Sequence, residues 1–255
     1  MHLFLVFLLT VTVVNAVLNS SSRIVGGATT NIDSYPTMVA LLYASDASGY
    51  RQACEGTIIN DRSVLCASHC TYGNHPFQWA SRFGSSYANS GGIVHTTKKI
   101  IYHSDYNPST NDNDIAIIHV VGKIPIGIKI QRARIAGPNY DIKDNEQVWV
   151  SGWGITKVGG PSSEELRHVQ IWTVNHAMCK KRYAGIGITI TDNMICSGWK
   201  DVGDSDQCQG NSGSPLFHER TVVGICSFGE GCAHSDYPGI NTRISRYSSW
   251  IQTNA

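Results

Sequence analysis

The run from Asp206 to Leu216 (DQCQGNSGSPL) contains the residue types that a catalytic serine requires. A serine hydroxyl is a weak nucleophile near neutral pH, so it needs a base and donors for the developing oxyanion. Gly210 and Gly213 lie on either side of Ser212 and allow a sharp turn that brings two N–H groups toward one point. A Gly/Ser-rich surface turn has the same composition, so the interpretation depends on finding a base, an acid and a pocket elsewhere.

Two further segments supply a candidate base and a candidate acid. His69 lies in the segment CASHC at the end of an apolar run, and histidine can accept a serine proton and return it to a leaving group. Asp114 ends the turn NDND before the apolar run IAII, where a carboxylate can hold the imidazole tautomer. Taken alone, the histidine is more often a hydrogen-bonded structural residue, and the acidic turn is more often the start of a strand than a catalytic acid.

The composition limits the class of protein. Apolar residues make up 42% and charged residues 15% of the 255 residues, which excludes a disordered chain and allows a sizeable core. The formal charge is +1, and no basic cluster is longer than the triplet 180–182 (KKR), so we expect no nucleic-acid surface. The length suits one large all-β unit or two small domains.

The N-terminus has the pattern of a secreted precursor. The stretch Leu3–Val14 is almost continuously apolar but too short to span a bilayer, which predicts a signal peptide over residues 1–16. A buried core strand is the alternative. We therefore expect an extracellular protein, in a compartment such as a gut lumen, with no membrane contact. Its eight cysteines are then expected to form disulfides.

A second boundary follows at Arg23. The polar segment 17–23 ends in this basic residue, and the sequence changes abruptly to IVGG from Ile24. This pattern predicts an activation propeptide over residues 17–23 and a mature domain over residues 24–255.

Short apolar or alternating runs separated by clusters of Gly, Asn, Ser, Asp and Pro predict a closed all-β architecture. The predicted strands are residues 37–43, 56–59, 63–67, 99–102, 115–121, 147–153, 168–174, 221–226 and 239–244. Residues 245–253 alone have the pattern of an amphipathic helix, and residues 164–168 are compatible with a single helical turn.

Four motifs in the order IVGG, ASHC, DNDIA and QGNSGSP make the sequence from Arg23 to Ala255 similar to the chymotrypsin/trypsin family of serine endopeptidases. The stretches 163–175 and 191–199 resemble lepidopteran midgut digestive trypsins. The resemblance implies two six-stranded antiparallel β-barrels, over about residues 24–130 and 131–244, with a C-terminal helix over about 245–253. It places the active site in the cleft between the barrels.

The resemblance also assigns roles to individual residues. It implies that His69 is the general base, Asp114 its orienting acid and Ser212 the nucleophile, with the N–H groups of Gly210 and Ser212 as the oxyanion hole. The implied activation residues are Arg23 and Ile24, whose new α-ammonium inserts beside Asn211.

The implied specificity pocket favours a cationic side chain. By resemblance, Asp206 lies at its base, Gly229 and Gly239 lie on its walls, and Ser227 begins the short strand that pairs with the substrate backbone. A buried carboxylate needs a partner, so Arg and Lys substrates are expected. The expected partners are therefore protein or peptide substrates and protease inhibitors, and the protein is expected to be a monomer.

The family pattern pairs six of the eight cysteines, as Cys54–Cys70, Cys179–Cys196 and Cys208–Cys232. Cys66 and Cys226 either form a fourth bridge or remain buried thiols, and the demanding geometry of a bridge favours thiols slightly. No cofactor or metal is expected. The segment 71–104 contains no Asp or Glu, so a carboxylate site for calcium cannot form there.

Four residues near the expected chemistry depart from the family pattern. Asn211 replaces an aspartate, Ser214 and Glu55 replace glycines, and Ser68 replaces an alanine. The aspartate would receive the new α-ammonium, so Asn211 raises the alternative of an activity-impaired homologue that binds proteins through the same cleft. Glu55 introduces a carboxylate that could supply the missing charge. The complete set His69, Asp114, Ser212 and Asp206 favours an active enzyme.

Overall fold

The computed structural model describes residues 27–46, 49–155, 160–198, 211–230 and 236–255. The strands are β1 (Ala28–Thr29), β2 (Met38–Tyr43), β3 (Arg51–Ile58), β4 (Ser63–Cys66), β5 (Trp79–Phe83), β6 (Ile93–Tyr102), β7 (Ala116–Val120), β8 (Arg134–Ile135), β9 (Gln147–Gly152), β10 (Arg167–Thr173), β11 (Met194–Gly198), β12 (Pro215–His218), β13 (Thr221–Phe228) and β14 (Gly239–Arg243). The helices are α1 (Ser68–Thr71), α2 (His176–Ala184) and α3 (Ser248–Asn254), with 3₁₀ turns at Pro76–Gln78 and Ile244–Arg246.

Two six-stranded antiparallel barrels are present, which confirms the predicted fold class. The first barrel closes in the order β2-β3-β4-β7-β6-β5. The second follows the order β10-β11-β14-β13-β12-β9 and closes because β9 also pairs with β10. Two short strands lie outside this ring: β1 pairs with β10, and β8 runs parallel to β13.

Strand β2 joins the two cores because its alternate side chains point to opposite faces. Val39 and Leu41 pack inside the first barrel, in a cluster that includes Phe83. Met38 and Leu42 belong to a different cluster, which also contains side chains from the second barrel. All four β2 residues are at most 1% exposed. The barrels are thus packed against each other through a strand that is buried on both faces, and their meeting edge is where the predicted site residues lie.

The helices differ from the sequence prediction in several places, and α1 was not predicted. Helix α2 was not predicted because only Cys179 and Tyr183 along it are buried, so it has no continuous apolar stripe. The Asn175 side chain caps it by accepting a hydrogen bond from Met178 N. The suggested turn at residues 164–168 is wrong, since the chain there enters strand β10. At the C-terminus, a 3₁₀ turn comes first and α3 begins at Ser248.

Five strands were also not predicted from the sequence: β1, β5, β8, β11 and β12. No helix in the described part of the chain is long and apolar enough to cross a membrane.

Candidate functional site

His69 and Asp114 are brought together by the pairing of β4 with β7. The strands are antiparallel with Cys66 opposite Ala116, so the end of β4 meets the start of β7. His69 follows β4 on α1, and Asp114 lies just before β7. As a result, His69 Nδ1 lies 2.7 Å from Asp114 Oδ2, and the backbone N–H of His69 donates to Asp114 Oδ1 at 2.8 Å.

The Asp114 carboxylate is fully buried and receives a further hydrogen bond from the hydroxyl of Ser227, whose Oγ lies 2.5 Å from Oδ2. Such donors allow a carboxylate to stay charged in the interior. Because a carboxylate only accepts hydrogen bonds, the imidazole proton lies on Nδ1 and Nε2 keeps its lone pair. The His69 side chain is 25% exposed, so the site is open to solvent on that side.

Two buried hydroxyls fix the backbone around Asp114. Thr242 Oγ1, on β14 of the second barrel, donates to the carbonyl of Asp114 at 2.7 Å. Ser68 Oγ donates to the carbonyl of Ile115 at 2.7 Å. The serine that departs from the family pattern therefore joins α1 to the residue just before β7. The acid is therefore held by both barrels at once.

Ser212 lies on the turn that leads into β12 and is partly exposed. Its carbonyl accepts a hydrogen bond from Glu55 N at 2.9 Å, and Gly213 N donates to the carbonyl of Cys226 at 2.9 Å. Gly213 has a φ of +83°, and a side chain there would collide with the backbone carbonyl of Glu55. A Cβ on Gly213 would also lie 3.5 Å from the Ala67 nitrogen, so the serine turn packs against the segment that carries His69.

Two of the three disulfides that the resemblance implies are present, Cys54–Cys70 and Cys179–Cys196. The first joins β3 to the residue after His69. Its sequence separation of 16 corresponds to about 3 kcal/mol of stabilisation by restriction of the unfolded chain. The sulfurs of Cys54 and Cys70 lie close to a His69 ring nitrogen, but as a disulfide they offer no thiolate ligands for a metal.

Cys66 and Cys226 are buried thiols. Burial, and then the negative charge of Asp114, raise the pKa of the Cys66 thiol well above its usual range. Because the thiolate is the reactive form, Cys66 is chemically inert at neutral pH although it lies near the site.

The two glycines of the expected pocket face each other. A Cβ on Gly229 would lie 3.7 Å from the Cα of Gly239, with Gly229 exposed and Gly239 buried. Several predicted residues lie outside the described residues: Arg23, Ile24, Asp206, Cys208, Gly210 and Cys232.

The departures Glu55, Asn211 and Ser214 form a single buried group, which we call the Glu55 cluster. All three side chains are at most 1% exposed. A Cβ built on Gly152 would lie 2.8 Å from Asn211 Oδ1, 2.8 Å from Ser214 Oγ and 3.1 Å from Glu55 Oε1, so the three polar groups converge on one point. Burial raises the pKa of Glu55 to about 8, and hydrogen bonds from the backbone of Trp153 and the side chain of Ser214 oppose the shift.

The family resemblance implied for Ser227 only that its strand pairs with the substrate backbone, and it implied no role for Thr242. The side chain of Ser227 bonds to Asp114 Oδ2, and Thr242 bonds to the same residue's carbonyl. No spacing in the sequence could reveal these contacts, because each joins residues more than a hundred positions apart.

Comparisons with known proteins agree with this geometry. The sequence model of the family described as Trypsin matches residues 24–251. The chain is 54% identical to "Trypsin, alkaline C" of Manduca sexta over 256 residues, covering 100% of both chains. It is 52% identical to "Trypsin CFT-1" of Choristoneura fumiferana, covering 95% of this chain and 94% of that one. It is also 48% identical to "Achelase-1" of Lonomia achelous, covering 91% and 100%. A serine turn that packs against the segment of a hydrogen-bonded His–Asp pair, on a chain matched along its length by trypsins, places this protein in the trypsin family of serine endopeptidases.

Proposed function

We propose that this chain is a secreted digestive endopeptidase that cleaves after Arg or Lys and is made as a zymogen activated at the Arg23–Ile24 bond. The observation that carries the proposal is the buried Asp114 carboxylate hydrogen-bonded to His69, on a segment that packs against the turn of Ser212. The predicted signal peptide over residues 1–16 supports secretion, and the similarity to named moth trypsins supports a digestive role.

In the proposed mechanism, Ser212 Oγ attacks the carbonyl carbon of the scissile bond while His69 Nε2 accepts the hydroxyl proton. The negative charge that develops on the carbonyl oxygen is held by the N–H groups of Gly210 and Ser212. Asp114 stabilises the imidazolium. His69 then gives the proton to the leaving amine, and an acyl-enzyme remains. A water molecule, deprotonated by His69, releases the acyl group and regenerates Ser212.

Asp206, Gly229 and Gly239 set specificity in this proposal. The facing glycines leave a space without side chains, and a carboxylate at its base would attract a long cationic side chain. Ser227 would pair with the substrate backbone while its hydroxyl stays on Asp114. Protease inhibitors that present Arg or Lys in an extended loop would compete for the same cleft.

Turnover of an Arg-amide fluorogenic substrate by mature protein, with its N-terminus verified as Ile24, tests this function. We expect hydrolysis together with stoichiometric covalent labelling of Ser212 by a phosphonofluoridate. Ser212→Ala is the matched control and should lose both. Absence of turnover and of labelling in correctly processed protein would support the activity-impaired binding homologue instead.

Blocking the activation bond should leave an inactive precursor. In the proposal, the oxyanion hole forms only after the Ile24 ammonium is released, so Arg23→Gln protein should be secreted and folded but should turn over little Arg-amide. We expect a loss of at least about a hundredfold in kcat/KM, the size associated with losing a buried ion pair. Full activity of intact Arg23→Gln protein would contradict activation at this bond.

A further inference from the structure

The Glu55 cluster contains more polar atoms than hydrogen-bond partners. Glu55 Oε1 accepts from Trp153 N at 2.9 Å and from Gln52 Nε2 at 3.2 Å. Glu55 Oε2 and both side-chain amide atoms of Asn211 are buried and have no hydrogen-bond partner in the structure. Buried polar groups are nearly always paired, so the two unpaired acceptors Glu55 Oε2 and Asn211 Oδ1 point to an additional donor.

A cationic donor would also neutralise the buried Glu55 carboxylate. Among the described residues, no Lys, Arg or His forms an ion pair with Glu55, which is fully buried on β3. An ammonium group carries three N–H donors and no acceptor. That number of donors suits the acceptors of the cluster, which are the unpaired Glu55 Oε2 together with Asn211 Oδ1 and Ser214 Oγ. The last two each lie 2.8 Å from a Cβ position built on Gly152.

We propose that Glu55, and not the residue at position 211, is the counter-ion of the Ile24 α-ammonium, with Asn211 and Ser214 accepting its remaining hydrogen bonds. This inference rests on the proposed cleavage at Arg23–Ile24. It explains the departures Glu55, Asn211 and Ser214 together. The negative charge that the family pattern has at position 211 is carried instead by Glu55 on strand β3. In the cleaved form, the buried Ile24 ammonium would therefore still have a buried carboxylate as its partner, that of Glu55.

The chain length between Ile24 and the cluster fits this pairing. Ala28 of β1 lies opposite His168 of β10, and His168 lies opposite Ser151 of β9, next to Gly152. Neighbouring strands are about 4.8 Å apart, so two spacings separate Ala28 from β9 by about 10 Å. Four residues reach about 13 Å when extended. The first described residue, Gly27, is already buried. Ile24 can therefore reach the cluster without moving β1.

The pairing also predicts how the free energy of unfolding changes with pH before and after cleavage. In the absence of a cation, burial raises the pKa of Glu55 to about 8, whereas an unfolded Glu titrates near 4.5. Between these two pKa values, the folded uncleaved chain holds a proton on Glu55 that the unfolded chain has lost. The free energy of unfolding of the uncleaved chain therefore falls as pH rises from about 4.5 through about 8. The ammonium favours the ionised carboxylate, so the cleaved chain should keep its stability over that range.

Chemical protection of the new N-terminus provides a direct test. Cleaved protein is treated under native conditions with an amine-acylating reagent, and labelling of the Ile24 amine is quantified by mass spectrometry. We expect slow labelling in the unmodified cleaved protein and labelling at least about tenfold faster in Glu55→Gln, accompanied by roughly a hundredfold loss of Arg-amide turnover. Glu55→Gln combined with Asn211→Asp should restore both, because the charge is returned to the cluster from position 211.

Glu165→Gln is the matched control, since it removes the same charge from an exposed glutamate outside the cluster; it should label slowly. If cleavage activates the enzyme but Glu55→Gln labels as slowly as the unmodified protein, the assignment of Glu55 is overturned while activation at Arg23 stands. If cleavage changes neither labelling nor turnover, both proposals are overturned. Should Glu55→Gln fail to fold, the double variant still decides, because unrestored protection there contradicts the charge exchange.

Discussion

Asp114→Asn should lower kcat by a factor on the order of 10⁴, the magnitude known for loss of the acid in the serine-protease triad that is the template for this chemistry. The buried carboxylate accepts hydrogen bonds from His69 N, His69 Nδ1 and Ser227 Oγ. An asparagine amide has one oxygen to accept and an NH₂ that must donate. The amide would donate to Nδ1, so the proton would move to Nε2, where it blocks transfer from Ser212.

The measurement is kcat and KM on an Arg-amide substrate, with KM expected to change little because the pocket is untouched. Asp112→Asn is the matched control. That carboxylate, in the same turn, accepts hydrogen bonds from Thr191 and Asn193 rather than from His69. A kcat for Asp114→Asn within tenfold of the unmodified enzyme would show that the acid does not orient the base.

Asp206→Ser should lower kcat/KM on Arg and Lys substrates by at least on the order of a thousandfold, while leucine substrates change by less than about tenfold. The proposed pocket is lined by Gly229 and Gly239, which offer a cationic side chain no partner of their own. Removing the carboxylate would leave a desolvated guanidinium or ammonium unpaired, whereas an apolar side chain loses nothing comparable.

Steady-state kinetics on matched Arg, Lys and Leu amides measure this difference directly. Asp204→Ser, two positions away in the same segment, controls for the general effect of losing a carboxylate there. Both aspartates lie outside the described residues. An equal loss on all three substrates for Asp206→Ser would mean that this residue supports the fold rather than specificity.

The all-β class could be predicted because runs such as residues 37–43 and 115–121 carry their own signal in apolar and β-branched side chains. Helix α2 could not, because its neighbours in space, and not an apolar stripe, hold it in place. The short strand β12 could not be predicted either. It has four residues, of which the first three are buried, so it shows no alternation, and it begins with Pro215 at a position where a proline is tolerated.

The candidate site could also be predicted only in part from the sequence. The types of His69, Asp114 and Ser212 and their flanking motifs were visible in the sequence, since each lies next to a distinctive local run. The convergence of Glu55 with Asn211 and Ser214 was not visible, because more than 150 positions separate β3 from the serine turn. The backbone hydrogen bond between Glu55 N and Ser212 O and the close approach of Gly213 to the Glu55 carbonyl bring these departures together where the barrels meet.

The buried thiols of Cys66 and Cys226 have a consequence for how the protein is made. In an oxidising compartment, any unfolded or half-folded chain exposes these two thiols beside the cysteines that must pair, and thiol–disulfide exchange can then trap wrong bridges. Closure of the barrels around β4 and β13 removes both from exchange, because the attacking species is an exposed thiolate. Correct maturation therefore requires these strands to be buried faster than oxidants reach them, and a slow-folding preparation would accumulate scrambled isomers.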